Sequence, residues 1–386
     1  MKKKIAILGS TGSIGKTILK IIDKDKENFK IILLSANKNY LGLLAQAKKY
    51  KVKNLIITDL NSYKNLKHKC KKLNINIFND FNDLNKIIKK KLDYLMSSIT
   101  GIDGLVPTIK SIKFTKKIAI ANKEAIICGW NLINSELKKN KTKFLPVDSE
   151  HFSIWYAIKN NSNSIEKIFL TASGGPFNDL PISKFKDITV KQALNHPNWK
   201  MGKKISIDSA TLMNKVFEII EAKKIFNLSY KQLEILIHPK SYIHAIIKFN
   251  NGLFKIIAHD TNMKYPVFNT LYDNVSKGIS SKNIRLDILN NLSLDRVNYN
   301  KFPMVKLLSS LPVQNSLYET VIVSINDALV NLFLNRHIKF NDISKLFFKI
   351  VNKKEYKKYK KIKPKTYQDI INLDKFVRLK LNVKSL

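Results

Sequence analysis

Over the first 147 positions, short apolar runs rich in β-branched residues alternate with stretches in which apolar residues recur at helical spacing. The runs fall at 3–8, 30–35, 54–58, 94–99, 117–121 and 143–147. Strands interleaved with helices in this way pair in parallel through crossover connections, so the first half is expected to be a doubly wound α/β domain. From 148 to 278 the pattern changes to helices mixed with alternating strands. Residues 243–249 and 253–258 flank Asn250-Asn251-Gly252, which predicts a hairpin within a central α+β domain. A polar stretch of low periodicity, 279–311, reads as a linker. Helical spacing from 316 to about 336, and again from 341, predicts a C-terminal helical domain over 312–386.

Composition narrows the classes. The 386 residues, 44% of them hydrophobic, exceed the roughly 150 of one typical domain and can bury more than one core. Cys70 and Cys128 are the only cysteines and form no C-x-x-C spacing, so neither a disulfide framework nor a thiolate metal site is indicated. A reducing, cytoplasmic setting is expected. Lys2-Lys3-Lys4 is followed by too short an apolar run for a signal peptide, so the chain is expected to be mature from residue 1. No run approaches the roughly 18–20 apolar residues of a membrane span. The formal net charge of +40, from 69 Lys and Arg against 29 Asp and Glu, raises nucleic-acid binding. That reading is set aside because the lysines are spread along the chain and Arg is scarce, whereas nucleic-acid footprints cluster. Phosphorylated small molecules would still be attracted.

Candidate chemistry begins after the first strand, at Gly9-Ser10-Thr11-Gly12-Ser13-Ile14-Gly15, which leads into a helix with apolar residues at 14, 18, 21 and 22. A strand, a glycine loop and a helix N-terminus together cradle phosphate, because glycines let N–H groups approach the anion and the helix dipole favours it. The first domain is therefore expected to be Rossmann-like, although the spacing is G-x-x-G-x-x-G. Dinucleotide sites for NAD carry an acid about 20 residues further on. Here the second strand ends Ser35-Ala36-Asn37-Lys38-Asn39, with a cation and no acid, which favours NADPH over NADH.

The strand ending at Val147 delivers Asp148-Ser149-Glu150 to the carboxyl end of the sheet. In extended chain these carboxylates would point the same way and suit a hard cation such as Mg2+ or Mn2+. A second block, 208–218, reads as an N-cap at Asp208 followed by a helix on which Asn214, Lys215 and Glu218 share a face. Such a face can offer a third carboxylate to the metal while its amide and ammonium hold a phosphate. The bland alternative is an exposed i, i+3 salt bridge. Histidines show no zinc-ligand spacing, which leaves Asp148, Glu150 and Glu218 as the metal set.

These residues resemble the 1-deoxy-D-xylulose 5-phosphate reductoisomerases of the non-mevalonate isoprenoid pathway. The similarity is carried by 9–15, Ala121-Asn122-Lys123-Glu124, Leu145-Pro146-Val147-Asp148-Ser149-Glu150-His151, Ala172-Ser173-Gly174-Gly175-Pro176-Phe177, His196-Pro197-Asn198-Trp199-Lys200-Met201-Gly202, 204–221, His238-Pro239-Lys240-Ser241 and Ile243-His244. The resemblance implies a homodimer with an NADPH domain over 1–147, a catalytic and dimerisation domain over 148–278, and Mg2+, Mn2+ or Co2+ at the carboxylates. By the same matching, Lys123, Asp148, Glu150 and Glu218 are catalytic, and Lys123, Ser149 and Glu150 contact the substrate backbone. Ser173, Ser209, Asn214 and Lys215 bind its phosphate, while His196 and Trp199 belong to a loop over it. Ser10, Thr11, Gly12, Ser13, Ile14, Asn37, Lys38, Asn39, Asn122, Glu124 and Gly202 line the cofactor, and Met201 and Met263 approach its nicotinamide.

This sequence departs from the family pattern in places. Asn37 stands where Gly is frequent, 259–263 replaces a Pro-Asp-Met segment, and Asn326-Asp327, preceded by Ser324 and Ile325, replaces Asn-Glu. Two other functions compete: a simple NADP-dependent dehydrogenase, which gives no reason for three carboxylates, and the nucleic-acid binder. Finally, the glycine and proline breaks between 173 and 209 predict a hinged lid whose Trp199 is exposed without ligand.

Overall fold

The computed structural model describes residues 1–273 and 275–381. It forms two compact units, the first comprising Met1–Ile126, Asn131–Asp148 and Met263–Ile279, the second Ile127–Trp130, Ser149–Asn262 and the chain from Ser280 onward.

In the first unit, the apolar runs become a seven-stranded sheet of β1 (Lys3–Leu8), β2 (Phe29–Ala36), β3 (Asn54–Ile57), β4 (Asn76–Phe78), β5 (Tyr94–Ser97), β6 (Lys117–Ile120) and β7 (Lys143–Pro146). Their order is β4-β3-β2-β1-β5-β6-β7, and every pairing is parallel. Helices cover both faces of such sheets, so its strands read as continuous apolar runs; Ile5, Ala6, Ile7 and Leu8 have no exposed surface. Strand order reverses beside β1, which puts the ligand crevice at the carboxyl ends of β1 and β5. Edge strand β4 was not anticipated, because its three residues, Asn-Ile-Phe, are too few to show a period.

The expected boundary at 278 is corrected. Residues from Met263 pack with the first unit, where the helix Lys264–Leu271 lies against the helix Ser13–Asp23. Tyr94 and Thr270 hydroxyls meet at 3.1 Å, and Tyr272 donates to Asp25. Asp273, with no exposed side-chain surface, accepts from Lys117 at 3.0 Å and Lys143 at 2.7 Å. A buried carboxylate is tolerable only with such partners.

The second unit holds a mixed sheet of order β11-β10-β8-β9-β12, made of β8 (Ile165–Ala172), β9 (Leu233–Ile237), β10 (Ile243–Phe249), β11 (Phe254–Ala258) and β12 (Asp295–Arg296). The hairpin formed by β10 and β11 follows the sequence expectation, with Gly252 at φ +83° supplying the turn. Helices Ser149–Ile158 and Met213–Phe226 pack on this sheet. Residues 279–311 are not a detached linker: β12 pairs with β9, and Pro303–Ser310 packs on the helix Met213–Phe226. Nor is the tail a separate domain. Its helix Tyr318–Leu334 packs against Phe340–Val351, Tyr367–Lys380 and also Lys203–Ala210 of the same unit.

Candidate active site

The glycine loop is built by main chain. Gly9 has φ +78°, and a Cβ there would lie 2.7 Å from the Ser98 carbonyl oxygen, so only glycine fits. A Cβ on Gly15 would meet the Gly9 oxygen and Ser10 Cα at 2.5 Å, which lets the helix start directly against the loop. Gly12 caps that helix without any side-chain hydrogen bond, leaving first-turn N–H groups for an anion. Thr11, Gly12, Ser13 and Ile14 form the accessible rim. Ser10 does not join them: its buried hydroxyl is tied to the Ser35 carbonyl at 3.2 Å and to Gln46 Oε1 at 2.7 Å.

Other expected cofactor residues divide similarly. Lys38 is exposed, and Asn37 is exposed with its amide on Thr58 Oγ1 at 2.8 Å. Asn39 spends its side chain on capping the next helix, accepting from the Gly42 N–H at 2.9 Å. Asn122 is buried, caps the helix Lys123–Asn140 through the Ala125 N–H at 2.7 Å, and donates to the Ile99 and Gly101 carbonyls. These two therefore shape the site from behind. Glu124 is buried in the first turn of that helix, whereas Gly202 is exposed at the start of the helix Lys203–Ala210. Met201 is half-buried beside it, and Met263 caps the helix Lys264–Leu271.

Asp148, Glu150 and Glu218 each offer a carboxylate oxygen within 4.8 Å of the others. The backbone route differs from the extended one expected. A helix begins at Ser149, so Glu150 lies in its first turn and Asp148 immediately precedes it. Asp208 likewise is not an N-cap but lies inside the helix Lys203–Ala210; Leu212, left-handed at φ +59°, starts the next helix. That conformation costs a non-glycine residue on the order of 1–2 kcal/mol, a strain typical of functional junctions.

Lys215 and Glu218 are both buried, which excludes the exposed salt bridge. Lys215, 5% exposed, reaches Glu150 Oε1 at 2.9 Å and also donates to Glu218. Burial works to lower its pKa, but the charges of Glu150 and Glu218 prevail and raise it. Asn214 donates to the other Glu218 oxygen at 2.5 Å, Lys123 pairs with Asp148 at 2.7 Å, and Ser149 donates to Glu150 at 2.6 Å. An all-oxygen set of three carboxylates matches a hard divalent cation. His151, which sequence reasoning did not single out, donates from Nε2 to the Glu218 carbonyl at 2.9 Å and fixes that helix. Its place directly after Glu150 was the available signal.

The segment after Ser173 approaches the backbone of Ser209 at Gly175, with Gly174 and Gly175 both at positive φ. A Cβ on Gly175 would stand 3.0 Å from the Ser209 oxygen and Ala210 Cα. The Ser173 hydroxyl meets His196 Nε2 at 3.0 Å, and His196 Nδ1 accepts from the Asn198 and Trp199 N–H groups at 3.1 and 3.0 Å. This fixes the Nε2–H tautomer, and burial holds the imidazole pKa down at about 4. Trp199 is half-buried rather than exposed, edge-on to His244 with centroids 6.0 Å apart. Its loop is moored by Asn198, which donates to the Pro239 carbonyl at 2.6 Å and Ser241 Oγ at 2.9 Å.

Three family models span the chain. That described as 1-deoxy-D-xylulose 5-phosphate reductoisomerase matches residues 5–129, its C-terminal domain matches 144–226, and a DXP reductoisomerase C-terminal domain matches 260–380. A curated 1-deoxy-D-xylulose 5-phosphate reductoisomerase of Pelagibacter ubique is 59% identical over the full length of both chains. The chain belongs to the 1-deoxy-D-xylulose 5-phosphate reductoisomerase family. Among solved reductoisomerases, that of Zymomonas mobilis in complex with NADPH is 29% identical, with TM-score 0.87 over 100% of both chains. A DOX-P reductoisomerase in complex with NADPH, fosmidomycin and magnesium is 30% identical, with TM-score 0.90 over 99% of this chain and 98% of that one. The reductoisomerase similarity thus includes the C-terminal third, where sequence reading had found only helical character.

Proposed function

We infer that the chain catalyses the NADPH-dependent isomeroreduction of 1-deoxy-D-xylulose 5-phosphate to 2-C-methyl-D-erythritol 4-phosphate, a step toward isoprenoid precursors. The observation that carries this reading is the convergence of Asp148, Glu150 and Glu218, which a simple dehydrogenase would not need. When bound, a divalent cation supplies Lewis-acid polarisation of the ketose oxygens during carbon–carbon rearrangement, and NADPH supplies the hydride. Asp148, Glu150 and Glu218 would hold the cation, the 9–15 loop the pyrophosphate, and Lys38 the 2′-phosphate.

The chain's own side chains bind and orient. Lys123 and Ser149 are assigned to the substrate backbone, and Ser173, Ser209, Asn214 and Lys215 to its phosphate. Asn214 and Lys215 already touch Glu218, so one helical turn couples phosphate binding to the carboxylates. Fixing the phosphate away from the reacting carbons holds the phosphate-bearing fragment in place between bond cleavage and rejoining. His196, neutral near pH 7, donates to Ser173 and orients it, while Trp199 on its moored loop excludes water.

A homodimer is proposed through β11, the outer strand of the second sheet among the described residues, where Phe254 and Ile256 are 55% and 51% exposed and the preceding Leu253 is 64% exposed. An unpaired apolar edge invites pairing with a second copy. The cytosol is proposed as the location; Cys70 and Cys128 are buried and unbridged, and no helix among the described residues could cross a membrane. The decisive assay follows NADPH absorbance on adding 1-deoxy-D-xylulose 5-phosphate, with Mg2+ or Mn2+ and after chelation. Oxidation that needs both substrate and metal is expected; metal-independent oxidation would refute the reading.

A further inference from the structure

Beyond the site itself, a chain of part-buried charges runs from the helix Lys203–Ala210 of the second unit to the helix Tyr367–Lys380. Asp208, its side chain 3% exposed, accepts from Asn326 Nδ2 at 2.7 Å and lies 3.4 Å from Lys204 Nζ. Lys204 pairs with Asp327 at 2.9 Å, and the second Asp327 oxygen accepts from Arg378 at 2.7 Å. Arg378 Nε in turn donates to Asp374 at 2.7 Å, and the same oxygen takes the Ser324 hydroxyl at 2.6 Å. Three helices, Lys203–Ala210, Tyr318–Leu334 and Tyr367–Lys380, are thereby held in one register.

We propose that Asp327 and Arg378 are positioning residues for the substrate phosphate, acting through Lys204 and Asp208 on the helix that presents Ser209. This rests on the reading of Ser209 as a phosphate ligand. The tail helix Tyr318–Leu334 already buries Val321, Ile322, Ile325 and Leu329 completely, so its adhesion does not require ions. Buried ion pairs add little net stability over apolar packing, but their directionality fixes orientation. Orientation matters here because Asp208 directly precedes Ser209, and the backbone at 209–210 lies so close to Gly175 that a Cβ there would stand 3.0 Å from it. A shift of a few tenths of an ångström in this helix would change the spacing of Ser209 and Ser173.

Steady-state kinetics of the full-length protein test this with Arg378→Met, Ser209→Ala and the double variant. Arg378→Met keeps the aliphatic stem, so KM for 1-deoxy-D-xylulose 5-phosphate should rise on the order of tenfold, with kcat within about threefold and KM for NADPH unchanged. If Arg378 acts through Ser209, the double variant should be no worse than Ser209→Ala alone. Multiplying effects, equal changes in both KM values, or no change in Arg378→Met would overturn the proposal. An unchanged substrate KM in Ser209→Ala would instead overturn the phosphate assignment beneath it. Should Arg378→Met fold poorly, the nearly isosteric Asp327→Asn is expected to show the same pattern, and its absence there would equally refute the role.

Discussion

The glycine loop after β1 and the carboxylate cluster around Glu218 solve the same problem, holding charge, by opposite means. At the loop, the N–H groups of Gly9, Ser10 and Gly12 are bonded internally and the uncapped first turn of the helix faces the anion site, while polar side chains such as Ser10 and Asn122 are tied into the protein behind it. At the cluster, the charged side chains themselves pair, with the buried Lys215 between Glu150 and the buried Glu218. A main-chain site tolerates changes of side-chain polarity but not an added Cβ. A side-chain site should tolerate changes of shape better than the loss of one charge.

The largest effect should come from Glu218→Gln, which preserves shape and removes a metal-binding charge. Turnover should fall by roughly a thousandfold or more, with NADPH binding, followed by fluorescence, unaltered; a mild loss of activity would erase the contrast. Gly9→Ala should do the reverse. The left-handed conformation alone costs a non-glycine residue on the order of 1–2 kcal/mol, and the contact with Ser98 adds to it. NADPH affinity and Tm should both drop while Mn2+ affinity stays, and unchanged NADPH affinity would show that the backbone cradle is not the binding element.

A smaller effect concerns His196. Its pKa is about 4 in the folded protein against an ordinary 6.5, so below pH 6.5 the unfolded chain takes up a proton that the folded chain does not. The contribution to stability is therefore complete above about pH 6.5 and is lost progressively as pH falls toward 4. An imidazole titration by NMR should show His196 still neutral where an ordinary histidine, with a pKa of about 6.5, is already half protonated. A midpoint near the ordinary value would contradict the burial argument. Smallest should be Asn37→Asp at the exposed end of β2, which weakens NADPH relative to NADH through repulsion of the 2′-phosphate. A wild type that uses both cofactors equally would remove the role given to Lys38.

Much of this was legible in the sequence because the signals are local. Six parallel strands announced themselves as apolar runs, and the glycine loop, Asp148-Ser149-Glu150 and the 214–218 face are short motifs. What escaped depends on distance along the chain. β12 is two exposed residues whose only reason to be a strand is β9, and Met263–Ile279 returns to the first unit because of partners such as Asp25, Lys117 and Lys143. The path through 148–150 was misread as extended, since nothing in three residues shows that a helix starts at Ser149. Trp199 was expected in solvent because the mooring of Asn198 to 239–241 is invisible in sequence.

The central claim is that Asp148, Glu150 and Glu218 form one divalent-cation site, and Mn2+ titration followed by calorimetry or electron paramagnetic resonance tests it most directly. Wild-type protein should bind one Mn2+ per chain, and Glu218→Gln, while still folded and binding NADPH, should weaken Mn2+ binding by at least about tenfold. Equal Mn2+ affinity in the two proteins would contradict the assignment of the site.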